Sequence, residues 1–260
     1  MSRAGAASDP PALPPPFRLV AHDRIDSTNA ALRRMAEAGA AHGTVVRARE
    51  QTGGRGRRGR AWASPRGNLY ASVLLRPDAA LRTAGQLGFA AALALAEAVA
   101  AGMPGDAAVA LKWPNDILVR HRKVAGILLE SVPDGAGGPP AVILGMGLNV
   151  AVAPTDAAYP ATSLHAEGAP TRVTADAVLA ETMPRLGAYL DAWQRDGFAP
   201  VRAAWLRRAL GVGGPVTVRL PDRTLHGTFQ DLDPDGALIL RQSSGMEQRI
   251  HVGDVFFGPG

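Results

Sequence analysis

The 260-residue chain has no cysteine, which excludes disulfides and thiolate metal sites and leaves any catalysis to other groups. Lysine is almost missing too. Of 28 basic residues only Lys112 and Lys123 are lysine, and in so arginine-rich a composition these two are candidates for places where a compact ammonium cannot be exchanged for a planar guanidinium. No stretch reads as a secretion signal or a membrane span. The first sixteen residues are rich in proline and alanine without the apolar core of a signal sequence, and read as a disordered leader. The longest apolar run, residues 85–102, is largely alanine and carries Gln86 and Glu97, which marks a buried helix. A cytoplasmic protein with no membrane partner is expected. Internal repeats and heptads are also lacking.

Charge is concentrated. Residues 47–66 hold seven arginines against one acid, Glu50, a local +6 beside +5 for the whole chain, so everything else sums to about −1. Nucleic-acid binders spread cations over a face or helix so that many phosphates are neutralised. One loop is a poor match, and no DNA partner is expected.

Residues 17–25 read as a strand, and Asp26, Ser27 or Thr28 can cap a helix over 29–39. Strands follow at 43–50 and 68–75, with the Gly/Arg loop between them, and then a helix over 83–101. Four short apolar segments between residues 109 and 152 supply three or four more strands. The fold class is α+β, a mixed or antiparallel sheet flanked by helices, not a βαβ series. Helices are expected at 174–195 and 198–210, with Pro184 starting a new helix or kinking the old one. After Gly211–Gly214 short strands alternate with turns, including the DPDG of residues 233–236, which suggests a β-barrel of about 45 residues. The expected division is a leader at 1–16, a main domain at 17–210 and a barrel at 211–260.

Three stretches carry chemistry. In GGRGRRGR (53–60) glycines, Gly54 and Gly56 among them, free the backbone to approach a ligand, while Arg55, Arg57, Arg58 and Arg60 offer forks that match phosphate or carboxylate oxygens. Such a loop is expected to be disordered until an anion orders it. The same run also suits a solvated surface loop or an RNA-binding segment, and it is no P-loop, lacking the lysine and hydroxyl. In KWPND (112–116) Pro114 forces the strand to end in a turn that projects Lys112, Asn115 and Asp116, beside Trp113. Capping of backbone amides by Asn or Asp is the plainer reading of that turn. Downstream, Lys123 opens a strand in which Gly126 lets a ligand or neighbouring backbone lie close, and Gly145, Gly147 and Asn149 interrupt an apolar strand as if something flat rested there.

Taken in order, STN (27–29), Gln51 with GRGRRGR, KWPND, RKVAGIL and GMGLN resemble the motif series of the biotin protein ligases, from about Phe17 to the C-terminus and most closely through residue 150. The resemblance implies the fold of the biotin and lipoate ligases, related to class II aminoacyl-tRNA synthetases, with an SH3-like C-terminal barrel. It implies a reaction in which biotin and Mg2+·ATP give biotinyl-5′-AMP, whose acyl group passes to one lysine of a biotin carboxyl carrier protein, a subunit of acetyl-CoA carboxylase or another carboxylase domain. By similarity, Lys123 and Arg57 would neutralise the two reacting anions and Asp116 would meet the acceptor lysine. Ser27, Thr28, Asn29, Gln51, Arg55 and Gly126 would surround biotin. Trp62, alternatively a core residue, would cover the adenine, and Asn149 would bond its edge. The metal ligands stay unassigned. Bifunctional family members carry an N-terminal DNA-binding winged helix, so repressor activity is not expected here. Family members also often place an arginine near the end of the barrel, where this chain has Gly258. A homodimer formed by strand-edge pairing is open. Lipoate or octanoate ligases of the same fold, a nucleic-acid binder and a catalytically dead biotin-binding scaffold are the alternatives.

Overall fold

The structure is a computed structural model that describes residues 10–77, 81–105, 107–133, 141–155 and 159–257. The first nine residues of the expected leader, and Gly258, lie outside the described residues.

Strand β1 (Arg18–Ile25) runs into helix α1 (Thr28–Glu37), whose N-terminus is capped by the Ser27 hydroxyl accepting the Ala30 N–H, and then into β2 (Thr44–Gln51), parallel to β1. This single βαβ crossover is what makes the sheet mixed, because every other pair is antiparallel. The remaining strands are β3 (Leu69–Leu75), β4 (Val109–Lys112), β5 (Asp116–Val119), β6 (Arg122–Val132) and β7 (Ala141–Leu148), in the order β1-β2-β3-β7-β6-β5-β4. All seven residues of β3 are buried, which is why it reads as a continuous apolar run and not as an alternating one.

Helix α2 (Leu87–Gly102) carries the alanine-rich run. With the helical turn before it, the segment Thr83–Gly102 is long and apolar enough to cross a membrane by length and composition alone, but lies mostly buried, α2 packing against the sheet and α3 (Ala175–Asp196). Alanine lets these layers approach closely without voids. α3 runs continuously through Pro184, so of the two expected outcomes no new helix starts there. α4 (Phe198–Leu206) stops short of residue 210, because the chain there pairs with β4: Leu111 donates to the Arg208 carbonyl at 2.9 Å and Leu210 donates back to Leu111 at 2.8 Å.

The C-terminal strands β8 (Pro215–Arg219), β9 (Thr224–Leu232), β10 (Leu238–Arg241), β11 (Glu247–Ile250) and β12 (Asp254–Phe257) form an antiparallel sheet ordered β11-β10-β9-β8-β12. Its β9–β10 turn is the DPDG segment. The Asp233 carboxylate accepts the N–H groups of Asp235 and Ala237, both at 2.8 Å, and Gly236 adopts φ +88°, a conformation glycine takes without strain. That turn docks on the larger sheet's body. Gly236 lies against the Phe89 ring, its carbonyl accepts the Trp113 indole N–H at 3.0 Å, and Gln86 donates to the Pro234 carbonyl at 3.2 Å.

Candidate active site

A cleft of about 1000 Å³ opens over the middle of the seven-stranded sheet. Its floor is bare backbone. Gly126 of β6 and Gly147 of β7 are cross-strand partners, so at that point the sheet presents no side chain on the cleft side, and the Trp62 indole lies directly on both. A Cβ at Gly147 would stand 2.8 Å from the indole, which accounts for glycine there. The flat group on this strip is Trp62. The indole N–H is buried and has no hydrogen-bond partner among the described residues. Gly145 borders the cleft too, but its missing side chain makes room for the Asn29 carboxamide.

The end of the cleft nearest β2 and β3 is a polar relay with fixed directions. Glu130 accepts from Asn29 Nδ2 at 2.7 Å, which turns Asn29 Oδ1 toward Ser72; Ser72 donates to it at 2.6 Å and sits 2.8 Å from the Thr28 hydroxyl. Gln51 Oε1 accepts from Thr28 N (2.8 Å) and Oγ1 (3.1 Å), and Gln51 Nε2 donates to Ser64, which in turn donates to the Trp62 carbonyl. With its oxygen occupied by Ala30, the Ser27 hydroxyl keeps its proton for a ligand, and Gln51 keeps one N–H.

The opposite end, toward β5 and β4, is ionic. The β4–β5 hairpin turns through Trp113–Asn115, so Lys112 and Asp116 become register partners at its base, and β6 brings Lys123 alongside. Asp116 is 2.5 Å from the Lys123 ammonium through Oδ1 and 3.6 Å from Lys112 through Oδ2. Lys112 is 5 % exposed, with the Tyr159 ring at 4.2 Å and the Phe256 ring at 5.6 Å. Burial holds its pKa below the usual lysine value; Asp116 pulls the other way and Lys123 adds to the lowering. Lys123 is held by its backbone, donating to Pro160 and accepting from Thr162 at 2.7 and 2.9 Å.

The Gly/Arg stretch closes the cleft as a hairpin. Arg55 pairs with Ala61, Gly56 donates to the Arg60 carbonyl, and Trp62 donates to Gly54, with a tight turn at Arg57–Gly59 where Arg58 and Gly59 take φ of 56° and 72°. Gly54 is bare because the Trp62 carbonyl and the Ser64 hydroxyl crowd it. Arg57 points inward and donates to Asn115 Oδ1 at 3.0 Å, while Asn115 Nδ2 holds the Ile127 carbonyl at 2.7 Å. Burial lowers the Arg57 pKa, yet a guanidinium stays charged. The expected wait for an anion is corrected in one respect. Asp254 of β12 already supplies a carboxylate, 2.9 Å from Arg60 and 3.6 Å from Arg58.

Of the residues singled out in the sequence, two do not border the cleft. Arg58 turns away from it to Asp254, and Trp113, 1 % exposed, points its indole at Gly236 because the Pro114 turn directs it below the sheet edge toward the C-terminal turn. Asn149 borders the cleft but spends its amide on the Thr162 carbonyl at 3.1 Å. Sequence reasoning missed Ser72, Glu130, Tyr159, Asp254 and Phe256. Among the described residues no trio of acidic or histidine side chains is placed to grip a metal.

Residues 21–149 match the biotin/lipoate A/B protein ligase family, and residues 212–258 match the biotin protein ligase C-terminal domain. A biotin–acetyl-CoA-carboxylase ligase of Paracoccus denitrificans is 43 % identical over 248 residues, 90 % of this chain and 98 % of that protein. This chain belongs to the biotin protein ligase family. A Mycobacterium tuberculosis ligase of the same description is 38 % identical over 88 % of this chain and 85 % of its own length. Among solved family structures, the Aquifex aeolicus ligase in complex with biotin and ATP superposes with a TM-score of 0.75 at 28 % identity, covering 92 % of this chain and 97 % of that one.

Proposed function

We propose that this chain joins biotin to ATP, giving biotinyl-5′-AMP and pyrophosphate, and then transfers the biotinyl group to a lysine of a biotin carboxyl carrier protein. The observation that carries this reading is the order of groups across the cleft. Hydrogen-bonding side chains lie at the β2–β3 end, a bare glycine strip at β7–β6, and a carboxylate between two ammonium groups at β6–β5–β4.

Each part has a task in that chemistry. A ureido ring carries two N–H groups and a carbonyl, and Ser27, Thr28 and Gln51 can both donate and accept. Asn29 acts behind them, held by Glu130. The biotin chain lies along the glycine strip and delivers its carboxylate beside Lys123, where the ATP α-phosphate is also drawn. Two anions meet there, and Lys123 with Arg57 neutralises them as the carboxylate oxygen attacks phosphorus and pyrophosphate departs in line. Magnesium enters as the counter-ion of ATP. Asp116 holds Lys123 in place and faces the acceptor lysine; that amine attacks the acyl carbon, loses a proton and releases AMP. The Gly/Arg hairpin, latched by Asp254, keeps water from the mixed anhydride in the interval. Trp62 leaves its resting place on Gly147 to cover the adenine.

The same reading divides the chain into a catalytic unit at 17–210 and a C-terminal unit at 211–260 that completes the cleft with Asp254 and Phe256. It places the protein in the cytoplasm without a DNA target, with strand-edge pairing as the route by which a homodimer would form. The test is incubation of the purified protein with biotin, Mg2+·ATP and a carrier domain, followed by mass measurement. A carrier heavier by one biotinyl group supports the proposal; an unmodified carrier, or equal labelling with lipoate, overturns it.

A further inference from the structure

Glu130 does not border the cleft, yet it decides which way the hydrogen bonds at the polar end run. Gly145 of β7 is the cross-strand partner of Leu128 on β6 and of Ser72 on β3. Its missing Cβ makes room for the Asn29 carboxamide, which reaches over β7 from Glu130 on one side to Ser72 on the other. Asn29 and Ser72 are buried, so water does not compete for these bonds. The second Glu130 oxygen faces Arg33, one turn further along α1, at 3.9 Å.

A carboxylate only accepts, so Asn29 must turn Nδ2 to Glu130 and Oδ1 to Ser72. That oxygen takes the Ser72 proton at 2.6 Å, and Ser72 then has only lone pairs to offer Thr28 at 2.8 Å. The single Thr28 hydroxyl proton therefore points into the protein, toward Ser72 or toward Gln51 Oε1 at 3.1 Å. None is left for the cleft. Thr28 Oγ1 meets a ligand as an acceptor, beside two donors, the Ser27 hydroxyl and the spare Gln51 N–H. We propose that Glu130 is a specificity-determining positioning residue: by fixing the Asn29 amide it makes Thr28 an acceptor for a ureido N–H of biotin, while Ser27 and Gln51 donate to the carbonyl. The assignment rests on the ligase reading and deepens it, because the site then selects a ring with an N–H beside a carbonyl. Without the carboxylate nothing opposes turning the amide over. Nδ2 would then face Ser72, and the Ser72 proton would swing to Thr28 and occupy the lone pair that the ligand needs.

The test compares the full-length wild type with Glu130→Met, which keeps the side-chain length without an acceptor, and Glu130→Gln, whose amide can offer either end to Asn29. Calorimetry measures binding of biotin and of its two cyclic carbamate analogues, each with one ureido N–H replaced by a ring oxygen. Loss of one ligand hydrogen bond should weaken biotin and one carbamate about tenfold in Glu130→Met. The other carbamate, lacking the N–H that faces Thr28, should bind within about twofold of wild type, because the contact at stake is already gone. Glu130→Gln should show the same selective loss at about threefold, and it decides the matter if the methionine variant folds poorly. An equal loss for all three ligands would mark a scaffold role and overturn the assignment, as would no loss for biotin. Failure of the ligase reading would show differently, as a wild-type protein that gives no biotin-dependent exchange of labelled pyrophosphate into ATP.

Discussion

The Lys123 ammonium stands 2.5 Å from the Asp116 carboxylate, whose other oxygen is 3.6 Å from Lys112, so one acid restrains two cations at the point where the reacting anions meet. Lys123 touches the cleft while Asp116 and the backbone of residues 160–162 support it. Replacing Lys123 with alanine removes the charge without disturbing those backbone bonds. Biotin-dependent pyrophosphate exchange should fall by about a hundredfold or more, the scale seen when one transition-state donor is deleted, with the circular dichroism spectrum and melting temperature near wild type. Exchange at the wild-type rate would refute the role given to Lys123.

Arg57→Gly separates formation of the adenylate from its retention. Arg57 borders the cleft and is tied to Asn115, whereas Arg58 and Arg60 pair with Asp254. Without the inner tie, biotinyl-AMP should escape several times faster and acylate lysines of an added bystander protein. Quantifying free biotinyl-AMP by chromatography during turnover checks this; release equal to wild type would show that the hairpin does not guard the intermediate.

Motifs whose spacing is local were legible before the structure. Lys112 and Asp116 meet because a proline turn separates them by three residues, and Gly126 and Gly147 signal themselves by interrupting apolar strands. Residues that reach the site only through long-range folding left no local signal. Asp254 and Phe256 arrive from a different sheet, and Glu130 and Ser72 sit in strands where an occasional polar residue is ordinary. Trp113 misled for the converse reason, since it lies within a chemically dense motif yet serves packing. The α4 boundary failed because tertiary pairing of residues 208–210 with Leu111 overrides helix propensity.

Gly147→Ala tests whether the indole rests where a ligand must pass. The new Cβ would press on Trp62, whose backbone is pinned by Gly54 and Ser64, so the side chain must give. Overpacking of this kind costs about 1–3 kcal/mol. Because the methyl would also stand in the ligand's path, the biotin and ATP Michaelis constants should both rise while Trp62 fluorescence shifts. Unchanged fluorescence and constants would mean the indole lies elsewhere in solution.

Asp254 should make hairpin closure acid-sensitive. Burial raises its pKa, but the Arg60 hydrogen bonds and the charges of Arg60, Arg58 and Arg57 outweigh burial and hold it below the ordinary value of 3.8. A carboxylate depressed in the folded state stabilises it fully above the unfolded pKa, and that contribution fades as pH falls through the lower folded value. Asp254→Asn should therefore lower the urea midpoint at pH 7, with the gap to wild type closing below about pH 4. A gap that stays constant to pH 3 would assign the effect to packing.

Trp113→Phe probes the join between the two sheets. The indole N–H is the donor to the Gly236 carbonyl at 3.0 Å, and the ring is otherwise enclosed in the core. Phenylalanine keeps most of the apolar contact but leaves that carbonyl unpaired in a buried place, a cost of about 1–3 kcal/mol. For a chain of this size the melting temperature should drop by roughly 2–4 °C per kcal/mol. Because the β9–β10 turn sets where β12 meets the cleft, the ATP Michaelis constant should rise more than that for biotin, whose polar end lies across the sheet on β2 and β3. Equal changes in the two constants would mean that the C-terminal sheet is positioned by its other contacts, chiefly Gln86 with Pro234 and Asp254 with the hairpin arginines.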